Sequence, residues 1–226
     1  IIAGDWSSDV CSSDLHDRIT QRSGSYAETI QGLQNIHKMG FHFGGKIVIS
    51  RQNFQVLLAI AEKFALLHAS SVDIAFPHAQ GRASKMWEQV VPRYKEISSQ
   101  VKQAAQYLLN KKIAVRLETF PFCTVPGCEN LVSEIFQQTQ AYAEINQYGS
   151  DSGASNWSEL LPQIKEKFAP CLSCRFNLIC EGPWNEYAQR YGGEEFRPIY
   201  GERINDVRQV ADLSFRNQFA LASRLV

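Results

Sequence analysis

Residues 46–76 read KIVISRQNFQVLLAIAEKFALLHASSVDIAF, and the architecture of the first half of the chain turns on this stretch. Ile47, Val48 and Ile49 form a short unbroken apolar run, the pattern of a strand covered on both faces. Asn53 follows as a residue able to cap a helix, and Val56, Ile60, Phe64 and Leu67 then recur at helical spacing to give one apolar stripe. Residues 72–76 are a second strand, closed by Pro77. Strand, helix and strand in this order predict a parallel βαβ unit.

The same alternation extends in both directions. Upstream, residues 26–39 place Ile30, Leu33 and Ile36 on one helical face and stop at Gly40. Downstream, a loop over residues 78–92 leads to a helix with Ile97, Val101, Ala104 and Leu108 on one side, then to a strand over residues 113–120. On that strand Ile113, Val115, Leu117 and Thr119 share one face, while Ala114, Arg116, Glu118 and Phe120 share the other. Arg116 and Glu118 then either face a polar lumen or pair as a structural ion pair. In α/β sheets of this class function gathers at the C-terminal ends of the strands, here residues 50–53, 78–82 and 118–123. His37, His42, His68 and His78 read as surface, turn or loop residues with no assigned chemistry. Three parallel strands are few for a sheet that stands alone, so further strands are expected upstream.

Composition narrows the function classes. The 226 residues are 44% hydrophobic and 20% charged, with 23 basic against 23 acidic side chains, an ordinary globular balance with room for one or two domains. Zero net charge speaks against a chain that coats nucleic acid or an anionic membrane surface. No run approaches the ~20 apolar residues of a bilayer span, and a cytoplasmic location is the expectation. In a reducing compartment six cysteines point to metal binding or catalysis, not to a disulfide framework.

The opening residues read differently. Residues 5–15, DWSSDVCSSDL, resemble the conceptual translation of a sequencing adapter. Residues 1–15 are therefore expected to be non-native and poorly packed, with Cys11 far from the other thiols, and the chain to be a C-terminal fragment.

Chemistry concentrates in the later cysteines. Cys171, Cys174 and Cys180 form a C-x2-C-x5-C run, after Pro170 and before Gly182-Pro183-Trp184. Two thiolates separated by two residues can turn onto one metal or cluster, and the third completes a compact grip. Cys123 leaves the last strand directly and is favoured as a fourth ligand. Cys128, just past the turn Val125-Pro126-Gly127, is then a spare or a small buried hydrophobe. Four-cysteine zinc uses the same ligands and competes with an iron-sulfur cluster. A helix is expected near residues 131–142, a small-residue linker over 149–156, and a last amphipathic helix carrying Ile204, Val207, Val210, Ala211, Phe215 and Phe219.

These residues resemble a family. The segments HDRITQRSGSYAETIQGLQNIHKMG and KIVISRQN look like the second half of a radical S-adenosylmethionine (radical SAM) enzyme barrel. The tail C-x2-C-x5-C-x-G-P-W-x-x-Y, continuing to Tyr191, Gly192, Glu195, Phe196 and Pro198, resembles the auxiliary cluster domain called SPASM, or its shorter form twitch. The resemblance covers residues 16–199 and departs in one respect: the C-x3-C-x2-C loop that binds the catalytic [4Fe-4S] cluster in this family is absent.

The resemblance implies an α/β chain. Residues 16–122 would be a partial (β/α) barrel, residues 123–200 an iron-sulfur domain and residues 201–226 a helical extension. It implies an auxiliary [4Fe-4S] cluster on Cys123, Cys171, Cys174 and Cys180, and in the complete enzyme S-adenosylmethionine, a second [4Fe-4S] cluster and an electron donor protein. By place alone, Ser50, Arg51 and Asn53 would lie near the bound S-adenosylmethionine; helix capping by Asn53 and a solvated Arg51 are the plainer reading. The complete enzyme would act on a peptide or small metabolite through a 5′-deoxyadenosyl radical. A non-catalytic zinc module on the same four cysteines is the competing function.

Overall fold

The computed structural model describes residues 13–136 and 157–210. Residues 13–118 form one compact unit, and residues 119–136 with 157–210 form a second.

The first unit is mixed α/β. Its elements are α1 (Ser13–Thr20), α2 (Ser25–Lys38), β1 (Gly44–Val48), α3 (Leu57–Leu66), β2 (Ser71–Ala75), the short α4 (Arg82–Lys85) and α5 (Trp87–Val90), α6 (Tyr94–Asn110) and β3 (Ala114–Glu118). The three strands pair in parallel in the order β1-β2-β3, with Ile47 opposite Ile74 and Ile74 opposite Leu117. Parallel strands need covered crossovers, and α3 and α6 supply them, packing against each other. Ile47, Val72, Ile74, Val115 and Leu117 from the sheet, with Ile60, Ile97, Val101, Ala104 and Leu108 from the helices, are fully buried. Burying each large aliphatic side chain contributes roughly 1.5–3 kcal/mol, so this layer carries the unit.

Close approach of α3 to β1 requires Gly45, where an added Cβ would run into the Phe64 ring. Phe64 is itself buried and has little room to move aside. The Gly45→Ala variant should therefore lose roughly 1–3 kcal/mol of stability by overpacking. Urea unfolding followed by circular dichroism checks this, and an unchanged midpoint would show that the helix can shift outward.

Three expectations change on the structure. Asn53 does not cap a helix: its side chain is buried, accepting the Ser50 N–H at 2.7 Å and donating to the Val48 carbonyl at 2.9 Å. Satisfying two backbone groups at a strand end outweighs one cap bond. A 3-10 turn, Phe54–Val56, precedes α3 and shifts the phase of the helix, so Val56 is exposed while Leu57 turns inward. The loop over residues 78–92 contains α4 and α5 and buries Trp87.

The charged pair on β3 resolves into ion pairing. Lys46, Asp73 and Arg116 stand in register across the three strands. Arg116 grips the Asp73 carboxylate with Nε and Nη2 and lies 3.3 Å from Glu118, which Lys46 meets at 2.8 Å. Arg116 and Glu118 thus find their partners on the other two strands as well as in each other.

Before the sheet, Asp17 caps α2 from outside that helix. Its carboxylate accepts the Tyr26 N–H at 2.8 Å, the Ser25 hydroxyl at 3.0 Å and the Gly24 N–H. The Tyr26 and Gly24 N–H groups hold its pKa at about 2, below the usual 3.8. A depressed carboxyl pKa contributes stability present above pH ~4 and lost as pH falls through about 2. The Asp17→Ala variant should unfold at lower urea than wild type at pH 7, the gap closing as pH falls toward 2. A gap constant down to pH 2 would show that capping is not its origin.

His16 is buried beside this cap, its Nδ1 3.0 Å from the Ser25 hydroxyl. Leu15 is buried too, and Ser13, Asp14 and Leu15 open α1, so the last residue of the adapter-like stretch packs against the fold despite the expectation, while Ser13 and Asp14 are exposed. Cys11 lies outside the described residues.

The second unit has little regular structure. Thr119 leaves β3 with φ 59°, a left-handed conformation costly for a β-branched residue. Single 3-10 turns at Phe122–Thr124, Glu129–Leu131 and Ser133–Ile135 follow. The expected helix near residues 131–142 thus begins as short turns, and its remainder lies outside the described residues, as does the linker over 149–156. Then come α7 (Trp157–Ile164), a 3-10 turn at Ala169–Ser173, α8 (Asn185–Tyr191) and a final turn at Val207–Gln209. Ala211, Phe215 and Phe219 are likewise outside the described residues. No helix among the described residues is long and apolar enough to cross a membrane.

Candidate metal centre

The cysteines sit on a chain of tight turns. Pro170 opens the Ala169–Ser173 turn, which holds Cys171, and Cys174 closes it, its N–H donating to the Cys171 carbonyl at 3.0 Å. The next turn runs from Phe176, whose carbonyl accepts the Cys180 N–H at 2.9 Å. A two-residue gap and a five-residue gap are thereby folded to one side. Gly182 follows with φ 85°, where a Cβ would strike the Glu166 carbonyl, so only glycine lets the two segments close. Pro121 directs the Phe122–Thr124 turn, which delivers Cys123.

Cys123, Cys171, Cys174 and Cys180 line one cavity, which encloses about 400 Å³ with its opening to solvent included. Its walls include Phe122, stacked on Phe176 with ring centroids 4.6 Å apart, and Phe196, stacked on Phe168 at 5.4 Å. Cys128 is not among the lining residues. Both of the segments that the cysteine spacing pointed to thus contribute to the same cavity, and Cys123 is the member from the earlier one.

Backbone N–H groups surround the sulfurs. The Ile199 N–H donates to the Cys174 sulfur at 3.4 Å. Arg197 directs its N–H at Cys123, and Phe122 and Gly182 direct theirs at Cys180. The segment carrying Arg197 and Ile199 is held by its own pairing, the Arg175 N–H donating to the Ile199 carbonyl at 2.7 Å. N–H donors favour sulfur in its anionic form.

Against them stands burial. It pushes the Cys123 thiol up to about 12, helped by the neighbouring Cys171 and Cys174. Burial does the same to Cys180, helped by the Glu134 carboxylate. Raised to this extent, the two thiols keep their protons in metal-free protein, and a metal would displace them. Four sulfurs, apolar walls and N–H donors match soft-metal chemistry. Among the described residues, no three His, Cys, Asp or Glu side chains form a group that could hold a metal ion, so the fit is one of donor type and placement around a shared space.

A charged cluster that the sequence did not announce adjoins the cysteines. Glu134 is fully buried, Lys165 nearly so, and Lys165 Nζ lies 3.6 Å from the centre of the Trp184 ring and 3.9 Å from Glu181 Oε2. Burial raises the Glu134 carboxyl to about 7 and lowers the Lys165 ammonium.

The residues placed near a cofactor by resemblance are engaged within the first unit. Ser50 Oγ accepts the Gln52 N–H at 3.2 Å, and Arg51 donates to the Val91 carbonyl at 3.0 Å and lies 3.3 Å from Glu96. Arg51 is thus half-buried and tied to the start of α6, and Asn53 closes the end of β1.

Comparison with protein-family models, with curated proteins and with solved structures returns no match for this chain.

Cys123 and Cys180 are half-buried residues with desolvated thiols, and metal-free protein should show that desolvation directly. At pH 8 Cys123 and Cys180 should react with iodoacetamide far more slowly in the folded protein than in denaturant, as read by peptide mass spectrometry. Equal rates in both states would contradict the buried cavity.

Proposed function

We propose that this chain is part of a radical SAM enzyme and holds its auxiliary [4Fe-4S] cluster on Cys123, Cys171, Cys174 and Cys180. The observation that carries the reading is the shared cavity: four cysteines from two separated segments face one apolar space with N–H donors at their sulfurs. The parallel order β1-β2-β3, with helices in the crossovers, supports a half-barrel for the first unit.

A cluster bound here would supply an electron-carrying site to the complete enzyme. The chain's own contributions are distinct. The stacked Phe122 and Phe176 rings limit water at the sulfurs, and the Ile199 N–H stabilises charge on Cys174. Gly182 lets the Cys180 turn close on the 166–167 segment. The polar face formed by Lys46, Asp73, Arg116 and Glu118 would line the half-barrel and offer charged groups to a peptide or small polar metabolite. The C-x3-C-x2-C loop that would bind the catalytic cluster is not in this sequence, so the chain by itself is proposed to be inactive. An electron donor protein and S-adenosylmethionine belong to the complete enzyme under this reading.

Anaerobic reconstitution with iron and sulfide tests it. The chain should turn brown, with broad visible absorption and about four irons and four sulfides per chain. Cys174→Ala should abolish the colour, whereas Cys128→Ala should retain most of it. One zinc per chain with no iron uptake would replace this reading with the four-cysteine zinc module.

A further inference from the structure

Lys165 is buried in a way that calls for an anion. Its side chain is 2% exposed and Nζ has no hydrogen-bond partner among the described residues. The indole of Trp184 covers it at 3.6 Å, and the nearest carboxylate oxygen, on Glu181, is 3.9 Å away, too far for a hydrogen bond. A desolvated ammonium is expensive unless paired, and a flexible lysine on a surface segment ordinarily turns outward instead. This one is pinned. Residue 165 bridges residue 184 in antiparallel fashion, and the Glu166 N–H donates to the Pro183 carbonyl at 3.0 Å.

That pairing fixes the lysine against the cysteine site. Gly182 and Pro183 line the cavity, and Glu181 directly follows Cys180. The charge of Cys180 acts on Lys165, and the charge of Glu134 acts on Cys180. The group expected in the cavity is anionic, since four thiolates and four sulfides outweigh the iron charge, and one-electron reduction makes it more so. A fixed cation close by stabilises the reduced form more than the oxidised form.

Lys167 and Arg197 line the cavity itself; we propose that Lys165, buried behind that lining, is a positioning residue whose ammonium is a further counter-charge to the cavity's metal group and raises that group's reduction potential, with Glu134 acting in the opposite sense. The proposal rests on the cluster reading above.

The test uses the whole chain as wild type, Lys165→Met, Lys165→Arg and Glu134→Gln. Each is reconstituted anaerobically with ferrous iron and sulfide, assayed for iron and sulfide, then titrated with dithionite, which gives one electron to the oxidised cluster. Bleaching of the visible absorption and the appearance of a paramagnetic signal report the midpoint. Lys165→Met, nearly the same size without the charge, should shift the midpoint to a more negative value at unchanged iron content. Lys165→Arg should stay near wild type, and Glu134→Gln should move it more positive. A fully loaded Lys165→Met variant with the wild-type midpoint overturns the proposal. If Lys165→Met does not fold, Lys165→Gln removes the same charge, and an unmoved midpoint in that variant at full iron content overturns it equally. A wild type that takes up no iron fails at the assay step, which brings down the cluster reading itself and this inference with it.

Discussion

Thiols brought out of water resist giving up their protons, and the second unit gathers four of them around one apolar cavity. Among its described residues the strands are reduced to one bridge between residues 165 and 184 and the chain runs largely through single turns, with no sheet to organise them. What it has instead is convergence: stacked aromatic rings, a glycine that permits close approach, and cysteines facing the same space. Small turn-rich units of this kind seldom bury enough apolar surface to be stable unaided, and a metal that replaces the thiol protons would supply the missing cross-link. The N–H donors already aimed at the sulfurs favour that replacement, because they stabilise the anionic form that burial alone disfavours.

The first unit solves its stability problem by a different route. Its parallel sheet and two crossover helices form an ordinary aliphatic layer, and its charges stay at the partly exposed face of the strands. There Lys46, Asp73 and Arg116 stand in register and Glu118 lies two residues further along β3, so each charge is matched without being fully desolvated. Pairs of this exposure contribute little individually, on the order of 0–1 kcal/mol. Their greater effect is on register, since a one-residue slip would turn all of them into the aliphatic layer.

Sequence periodicity reached the first unit because its signals are local. Ile97, Val101, Ala104 and Leu108 repeat at helical spacing and are all buried, and the three apolar strand segments pair in parallel as alternation requires. Local pattern failed where the deciding partner was distant or the geometry unusual. Asn53 reads as a cap, yet its side chain is taken by the strand end three and five residues earlier. Arg116 and Glu118 were ambiguous because their partners, Asp73 and Lys46, sit on other strands. The 3-10 turn before α3 could not be seen in spacing that assumes a uniform helix. For the site, the C-x2-C-x5-C run announced itself, and Cys123 was favoured over Cys128 for its closeness to the expected strand end; β3 stops at Glu118, and a 3-10 turn carries Cys123 to the cavity. Lys165 and Glu134 gave no signal: Lys165 is followed by Glu166, and such a pair reads as solvated surface.

Those two residues mark the main difference between the units. In the sheet, opposite charges meet at hydrogen-bonding distance. Beside the cysteine cavity, the Lys165 ammonium and the Glu134 carboxylate are both withdrawn from water with polar atoms left unbonded. Replacing a buried ion cluster of this sort with apolar residues would often stabilise a fold, so folding alone does not account for the arrangement. Under the proposed cluster reading, a guest of net negative charge near Lys165 would account for it, and the fold of the second unit would then be coupled to the charge of that guest as well as to the sulfur–metal bonds.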